Sequence, residues 1–442
     1  MKKRIISLLL VGMMTASLAT ACGKGNEPEP EPQEPNSSNQ TLGELEHKPV
    51  DGDVSGIAGM NDFNSQLIAY VGENGYEKEN YMISPTSYKA ALCLAAAGAN
   101  GQTQDELLKA MGFQSVDEMN AWYSMVYNET VDFNDSLEAE KESIAEIQSD
   151  PDMADYYTVD GEPDGAFRLV NSIWANEDGN PEFTQEYIDL AKEMYSAPAT
   201  TVPGADLADA VNSWVSDATD GLINSITNDM SSVDLALVNA LYLRAGWVDS
   251  FPEGGTVDDD FTTINSETVT KSYMCKQDDT YYYEGENGKL IILPLDYGVK
   301  AAFVLGEIDD IDTALKEATE YEVDIKLPKL DMESEFGSSV LIGYLKSQGV
   351  ELAFDKYGSA DFSTMSTVPV YISDIIQKTR IKTDEEGLEA AAVTAIMMTE
   401  SAAMPEEKEV KTFYATEPFK FFVYTELENE ENEILFYGQM VK

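Results

Sequence analysis

Histidine is all but missing from this chain. The single one, His47, lies in a polar stretch ahead of the first helical pattern, so no histidine triad, histidine general base or histidine-rich metal site can be assembled from a core residue. Basic residues are scarce as well. Against 81 Asp and Glu stand 28 Lys and Arg, a formal net charge of −53, which excludes a basic patch for nucleic-acid phosphate or an anionic lipid surface. The only cysteines are Cys22, Cys93 and Cys275, with no CxxC pair, and three thiols cannot frame a chain of 442 residues. Cys93 and Cys275 are expected to be small buried hydrophobes, a disulfide between them being the other reading. Beyond residue 22 no run of 18 apolar residues occurs, and nothing there reads as a spanning helix. A GxSxG elbow is absent too, which leaves a secreted serine hydrolase without support. These absences remove metal- and histidine-dependent hydrolases, and no metal or cofactor is expected.

What is present is enough apolar matter for a substantial core, at 43% hydrophobic and 10% aromatic residues. Lys2, Lys3 and Arg4 precede an apolar stretch over residues 5–18 and the run Ala19-Thr20-Ala21-Cys22, the order of a secretory leader. A small-residue triplet ending in cysteine resembles a bacterial lipobox, with Cys22 as the lipidated new N-terminus; a plain signal peptide is the alternative. Residues 23–56, with their Glu-Pro repeats and Asn/Ser run, have the composition of an extended, self-repelling tether. The folded part, residues 57–442, is thus expected outside a cell, anchored to its surface or else secreted, touching membrane only through the lipid.

Within it, Phe63, Leu67, Ile68 and Val71 form a helical stripe, and Ser84-Pro85 is a cap and first-turn pair for an Ala-rich helix closing at Gly98. Thr103 and Glu106 have the spacing of a capping box that starts the next helix. Residues 128–165 are acidic and poorly periodic, and read as a surface insertion with at most a short helix near 136–147, either a solvated excursion or a binding site. Further helices are expected over 183–195, 205–219 and 338–348, and strands over 168–175, 269–274, 281–284, 290–295, 301–305, 322–327, 419–426 and 434–440. The continuous apolar run from Leu235 to Leu243 suits a strand buried on both faces. No repeat and no inner linker appear, so one α+β domain is the count.

Residues 80–92 (NYMISPTSYKAAL), 98–107 (GANGQTQDEL), 210–221 (AVNSWVSDATDG), 237–247 (LVNALYLRAGW), 384–395 (DEEGLEAAAVTA) and 434–438 (ILFYG) together resemble the serpin family along nearly the whole folded part. The resemblance implies a single serpin-type domain: a large central sheet, surrounding helices and an exposed reactive-centre loop, here about residues 385–412. It also implies a mechanism. A protease cuts the loop, and the loop then inserts as a new central strand, carrying the acylated protease with it. Such a hinge must offer an inward face that a closing sheet tolerates. After Glu386 and Gly387, that face is Leu388, Ala390, Ala392, Thr394, Ile396 and Met398; Glu389, Ala391, Val393 and Ala395 form the other, which carries the only charge. An Ala-rich surface helix is the plainer reading of this stretch. By the same resemblance Ser84, Ser87 and Asn239 lie under the opening sheet, and Trp247 where the loop first enters, with ordinary core and capping as the other reading of each. Most of the family has a His where this chain has Gln377, whose amide also donates and accepts.

The resemblance implies a reactive bond fourteen positions on from Gly387, at Ser401 and Ala402, with Met398 and Ala403 as outer limits. No Lys or Arg lies between residues 386 and 407, which argues against trypsin-like targets, whose pocket awaits a basic side chain. Small residues suit an elastase-like or subtilisin-like serine protease, and the acidic body would steer cationic ones. The expectation is therefore a monomeric, non-enzymatic suicide inhibitor of serine proteases; a non-inhibitory binding protein of the same fold, or a plain protease substrate, is the alternative.

Overall fold

The computed structural model describes Lys48 and residues 62–149, 159–160, 163–179, 181–231, 233–388, 394–395 and 409–442. The leader with Cys22, the tether, hinge residues 389–393 and the reactive bond at Ser401 and Ala402 lie outside the described residues.

Helix α1 (Asp62–Val71) buries Phe63, Leu67 and Val71. In α2 (Pro85–Gly98) the Ser84 hydroxyl accepts the Ser87 N–H at 3.2 Å and Pro85 opens the first turn. Helix α3 (Gly101–Met111) begins earlier than the capping-box spacing suggests, with Asn100 at its cap. Thr103 and Glu106 turn outward to other chain segments instead: Thr103 accepts the Asp361 N–H at 3.0 Å, and Glu106 accepts those of Glu351 and Leu352, both at 2.9 Å. The largest correction is α4 (Val116–Ser149), one helix of 34 residues where the sequence pattern suggests a poorly periodic excursion with a short helix. Its first half is held by buried Met119, Trp122, Tyr123 and Val126. Once that half is formed, propagation through Glu, Lys, Ala and Gln adds one hydrogen bond per residue without a new nucleation cost. The other α-helices among the described residues are α5 (Gln185–Tyr195), α6 (Leu207–Ala218), α7 (Ile311–Glu317) and α8 (Ser338–Ser347).

Strands are numbered in chain order. A nine-stranded sheet runs β1 (Tyr81–Ile83), β17 (Asn432–Met440), β16 (Phe419–Glu426), β9 (Lys300–Gly306), β8 (Gly288–Pro294), β7 (Thr268–Glu284), β10 (Thr319–Pro328), β15 (Val410–Tyr414), with β6 (Val257–Thr262) also on β7. The two short strands expected over 269–284 are the single β7, because its partner β10 pairs without a break from Tyr282 to Tyr273, across a polar middle that has no apolar pattern to announce it.

The second sheet has six strands in the order β11 (Asp331–Phe336), β12 (Asp374–Lys382), β5 (Leu235–Gly246), β3 (Ala166–Asn176), β4 (Ala199–Val202), with β13 (Gly387–Leu388) also on β5. A two-stranded pair joins β2 (Val159–Asp160) to β14 (Thr394–Ala395). The first nine residues of β5 are buried, as a strand covered on both faces must be. On one side its Leu235, Leu237 and Leu241 join the main core, to which α2 also belongs; on the other, Ala236 and Val238 pack with Leu207, Val211 and Val215 of α6. Both thiols in the described residues are free: Cys93 is buried beside Met111, and Cys275 is half-buried on β7.

Candidate functional site

The site is a seam. Strands β12 and β5 are parallel neighbours that pair over only four rungs, from Asp374↔Ala236 to Gln377↔Asn239. Above that, β12 follows β11 out to Lys382 while β5 follows β3 up to Arg244, and among the described residues no strand lies between them short of the mouth. Their facing backbone edges therefore lack the ladder that central strands normally have, and each missing hydrogen bond is worth about 1 kcal/mol net. Only at the mouth is the gap occupied. There Gly387 and Leu388 pair antiparallel with Gly246 and Ala245, and Leu388 also bridges Thr383 at the end of β12. The Leu388 side chain is 5% exposed and shares its cleft with Leu243, Ile381, Met82 and Phe436. A strand continued from Leu388 would run antiparallel to both neighbours, which is the better-bonded arrangement.

Where the seam closes, the side chains of opposed rungs meet. Gln377 is 1% exposed; its amide oxygen accepts the Ser84 N–H at 3.1 Å, and its amide nitrogen donates to the Ser84 carbonyl at 2.8 Å and to Asn239 Oδ1 at 3.4 Å. Ser87 donates to the same Asn239 oxygen at 3.1 Å, and the Ser84 hydroxyl donates to the Leu435 carbonyl of β17 at 2.6 Å. Gln377 thus ties β12 to α2 and to β5 at once. Prising the strands apart here exposes buried polar groups before new partners arrive, so the network acts as a latch.

At the mouth, Asp384 makes a side-chain turn, its carboxylate accepting the N–H groups of Glu386 at 2.9 Å and Gly387 at 3.2 Å. Trp247, 4% exposed, holds that turn with its indole N–H on the Asp384 carbonyl at 3.0 Å and its backbone N–H on the Glu386 carbonyl at 2.8 Å. Lys329 pairs with Glu385 at 2.6 Å and Thr256 also donates to it. Burial acts to raise the Glu385 carboxyl, but the Lys329 and Thr256 bonds outweigh it and hold the group below its ordinary range. Beside them Gly246 donates its N–H to the Asp296 carboxylate, and a side chain at Gly246 would collide with that carboxylate. Burial, then the nearby charge of Glu140, push Asp296 up to about 6, against the pull of the Gly246 N–H.

Of the residues that the sequence singles out, the structure gathers Ser84, Ser87, Asn239 and Gln377 at the closed end of the seam, and Trp247, Gly387 and Leu388 at its mouth. Glu386 lies in the turn, and Thr394 is described only through its backbone, on β14. Residues that sequence reasoning misses are Asp384, Lys329, Glu385 as a clamp, Asp296, and the buried pair Lys89 and Glu433. The last two lie under the latch: Glu433 accepts from Thr86 at 2.7 Å and Trp122 at 3.3 Å, and the Lys89 ammonium faces the rings of Phe113 at 4.3 Å and Trp122 at 4.5 Å. Burial lowers Lys89 to about 8 and raises Glu433, each opposed by the other's charge. Lysine inside an otherwise apolar helix is the one signal that could have flagged this pair.

A sheet whose two central strands are joined at one end and held apart at the other by Gly387 and Leu388 defines the class as an α+β fold with a split central sheet. The family follows from comparison. A family model described as Serpin (serine protease inhibitor) matches residues 58–442, and the chain belongs to that family. An uncharacterized serpin-like protein of Thermococcus kodakarensis is 28% identical over 431 residues, covering 92% of this chain and 89% of that one. The leukocyte elastase inhibitor of Homo sapiens is 27% identical over 392 residues, covering 81% and 92%. Among solved structures, the native state of the thermophilic serpin tengpin superposes with a TM-score of 0.71 at 22% identity, covering 91% of this chain and 98% of that one; at that identity the likeness concerns the fold.

Proposed function

We propose that this protein is a surface-anchored inhibitor of serine proteases with elastase-like or subtilisin-like preference, acting as a suicide substrate. The observation that carries the reading is the seam between β5 and β12, open above Gln377 and Asn239 and already wedged by Leu388. Cleavage frees the loop to slide into that seam, where it completes the ladder on both sides while the protease is still acylated. Alternate small residues along the loop reduce the resistance of the closing sheet. The absence of Lys and Arg between residues 386 and 407 and the likeness to an elastase inhibitor both support the preference. The leader and Cys22 support display outside a cell on a lipid anchor; Cys22→Ser should move the protein from membrane to soluble fractions.

The test is to mix the protein with pancreatic or neutrophil elastase. An SDS-resistant complex is expected, together with a released fragment whose mass fixes the cut between Met398 and Ala403, and a higher melting temperature for nicked than for intact protein. Cleaved loop without complex would mean a binding protein or a mere substrate.

A further inference from the structure

The stretch that leads out along α4 and back into β3 grips the mouth of the seam along both of its arms. Going out, Phe133 of α4 lies edge-on to Tyr297 at 4.9 Å and to Phe167 of β3 at 5.9 Å, Asn134 donates to the Phe167 carbonyl at 2.8 Å, and Glu140 accepts from the Tyr297 hydroxyl. Tyr297 neighbours Asp296, which holds Gly246. Coming back, Asp164 pairs with Arg244 of β5 at 2.6 Å, and Ala166 joins the sheet opposite that same Arg244. Between the two arms, β2 pairs antiparallel with the reactive loop itself: Asp160↔Thr394 and Val159↔Ala395.

The register at the mouth tells where Thr394 would otherwise go. Gly387 faces Gly246 and Leu388 faces Ala245. Continued in the same antiparallel register, the loop brings Thr394 opposite Asn239, the latch rung that β5 shares with Gln377. That rung lies six residues beyond Leu388, about 20 Å down the seam. An inserted strand has one edge on β5 and the other on β12, so Thr394 and Ala395 cannot pair with β2 once they lie in the seam. Parity also agrees, since Thr394 falls on the same face as Leu388.

We propose that β2 is a brace on the reactive loop, one that holds Thr394 and Ala395 out of the sheet and so halts insertion just short of the latch. The inference rests on the inhibitory reading above. It gives the acidic insertion a defined role, in which α4 and the Asp164–Arg244 pair fix its position against β5 and β2 offers the loop a strand to pair with until cleavage. A cut between Met398 and Ala403 leaves Thr394 and Ala395 on the arm that inserts, so leaving β2 is a required step after cleavage. Antiparallel rungs alternate between bonded and non-bonded pairs, so one of the two carries the exchanged hydrogen bonds.

Val159→Pro and Asp160→Pro, made singly, each remove one N–H from β2, and Val159→Ala is the control that keeps the backbone donor. After nicking with elastase, the gain in melting temperature is followed with time; one proline variant should insert about tenfold faster than wild type, the worth of a lost hydrogen bond or two, and Val159→Ala should match wild type. Hydrogen exchange on intact protein gives a second readout: of the Thr394 and Ala395 amides, the one on the bonded rung should be protected in wild type and lose protection in that proline variant. Equal insertion rates in all variants, or protection of neither amide in intact wild type, would overturn the brace while leaving inhibition standing. Failure of nicked wild type to gain any stability would instead strike the inhibitory reading, and the brace with it.

Discussion

Replacing Leu388 with arginine tests the seam most directly. Leu388 is 5% exposed, wedged between Leu243 and Ile381 over Met82 and Phe436. Losing it forfeits about 2 kcal/mol of apolar burial. Seating a guanidinium in its place costs several kcal/mol more, reduced where the long side chain reaches back toward water at the mouth. In the intact protein the arginine can leave the mouth for water, whereas the inserted strand must seat it at a net penalty of about 4 kcal/mol; if half of that is felt as the strand begins to enter, insertion slows by about 30-fold. Deacylation of the captured protease should not change, because the reactive bond lies more than ten residues away in sequence. Partition between trapping and turnover would then shift from trapping to turnover. The assay is titration against elastase, with SDS gels reporting complex and cleaved protein side by side. Loop cleavage should proceed at the wild-type rate while complex yield falls by an order of magnitude. Leu388→Met, close in volume, should keep the yield. An arginine variant that cleaves and traps like wild type would refute the assignment of Leu388 to the buried face of the inserting strand.

Two further outcomes concern pH. Because Asp296 is held at about 6 by burial and by Glu140, its proton binds more tightly in the fold than in the unfolded chain; stability contributed by this group rises as pH falls from 7 toward the unfolded carboxyl value near 4 and is lost above pH 6. Asp296→Asn, which still accepts from Gly246, should therefore melt higher than wild type at pH 8 by the equivalent of about 1–2 kcal/mol, with the gap shrinking as pH falls below about 6 and gone near pH 4, as thermal melts across pH would show; an unchanged gap would exclude the titration of Asp296. Gln377→His should do the reverse. A histidine buried in the latch must stay neutral to accept from Ser84, so burial depresses its pKa, and stability present at pH 8 is lost as pH falls through about 6. Wild type should lack that loss, and a flat pH profile in the histidine variant would mean that the latch does not depend on an acceptor at this position.

Much of the fold can be read from local pattern. The Ser84-Pro85 start of α2, the buried run that forms β5, and the strands near the C-terminus all follow from capping and from period-two or continuous apolar patterning, which act over a few residues. Other elements cannot be read so. The polar middle of β7 is a strand because β10 pairs with it, and the acidic half of α4 is helical because its first half is anchored in the core. The same divide runs through the site. Gln377, Asn239, Ser84 and Ser87 are each visible as polar residues in apolar surroundings, yet nothing local announces that they meet at one rung; that follows from the parallel pairing of β5 with β12.

Chain order alone, then, settled the type of most elements, the acidic surface, the absence of histidine chemistry and a loop face able to enter a sheet, since each rests on side-chain character at short separation. Folding in three dimensions decided that β5 and β12 would meet at one end only, that Leu388 would already fill the gap at the other, and that Val159 and Asp160 would reach a loop more than 230 residues further on. Those facts depend on which distant backbone edges find each other, and hydrogen-bond partners across a sheet leave no mark in the spacing of residues along the chain.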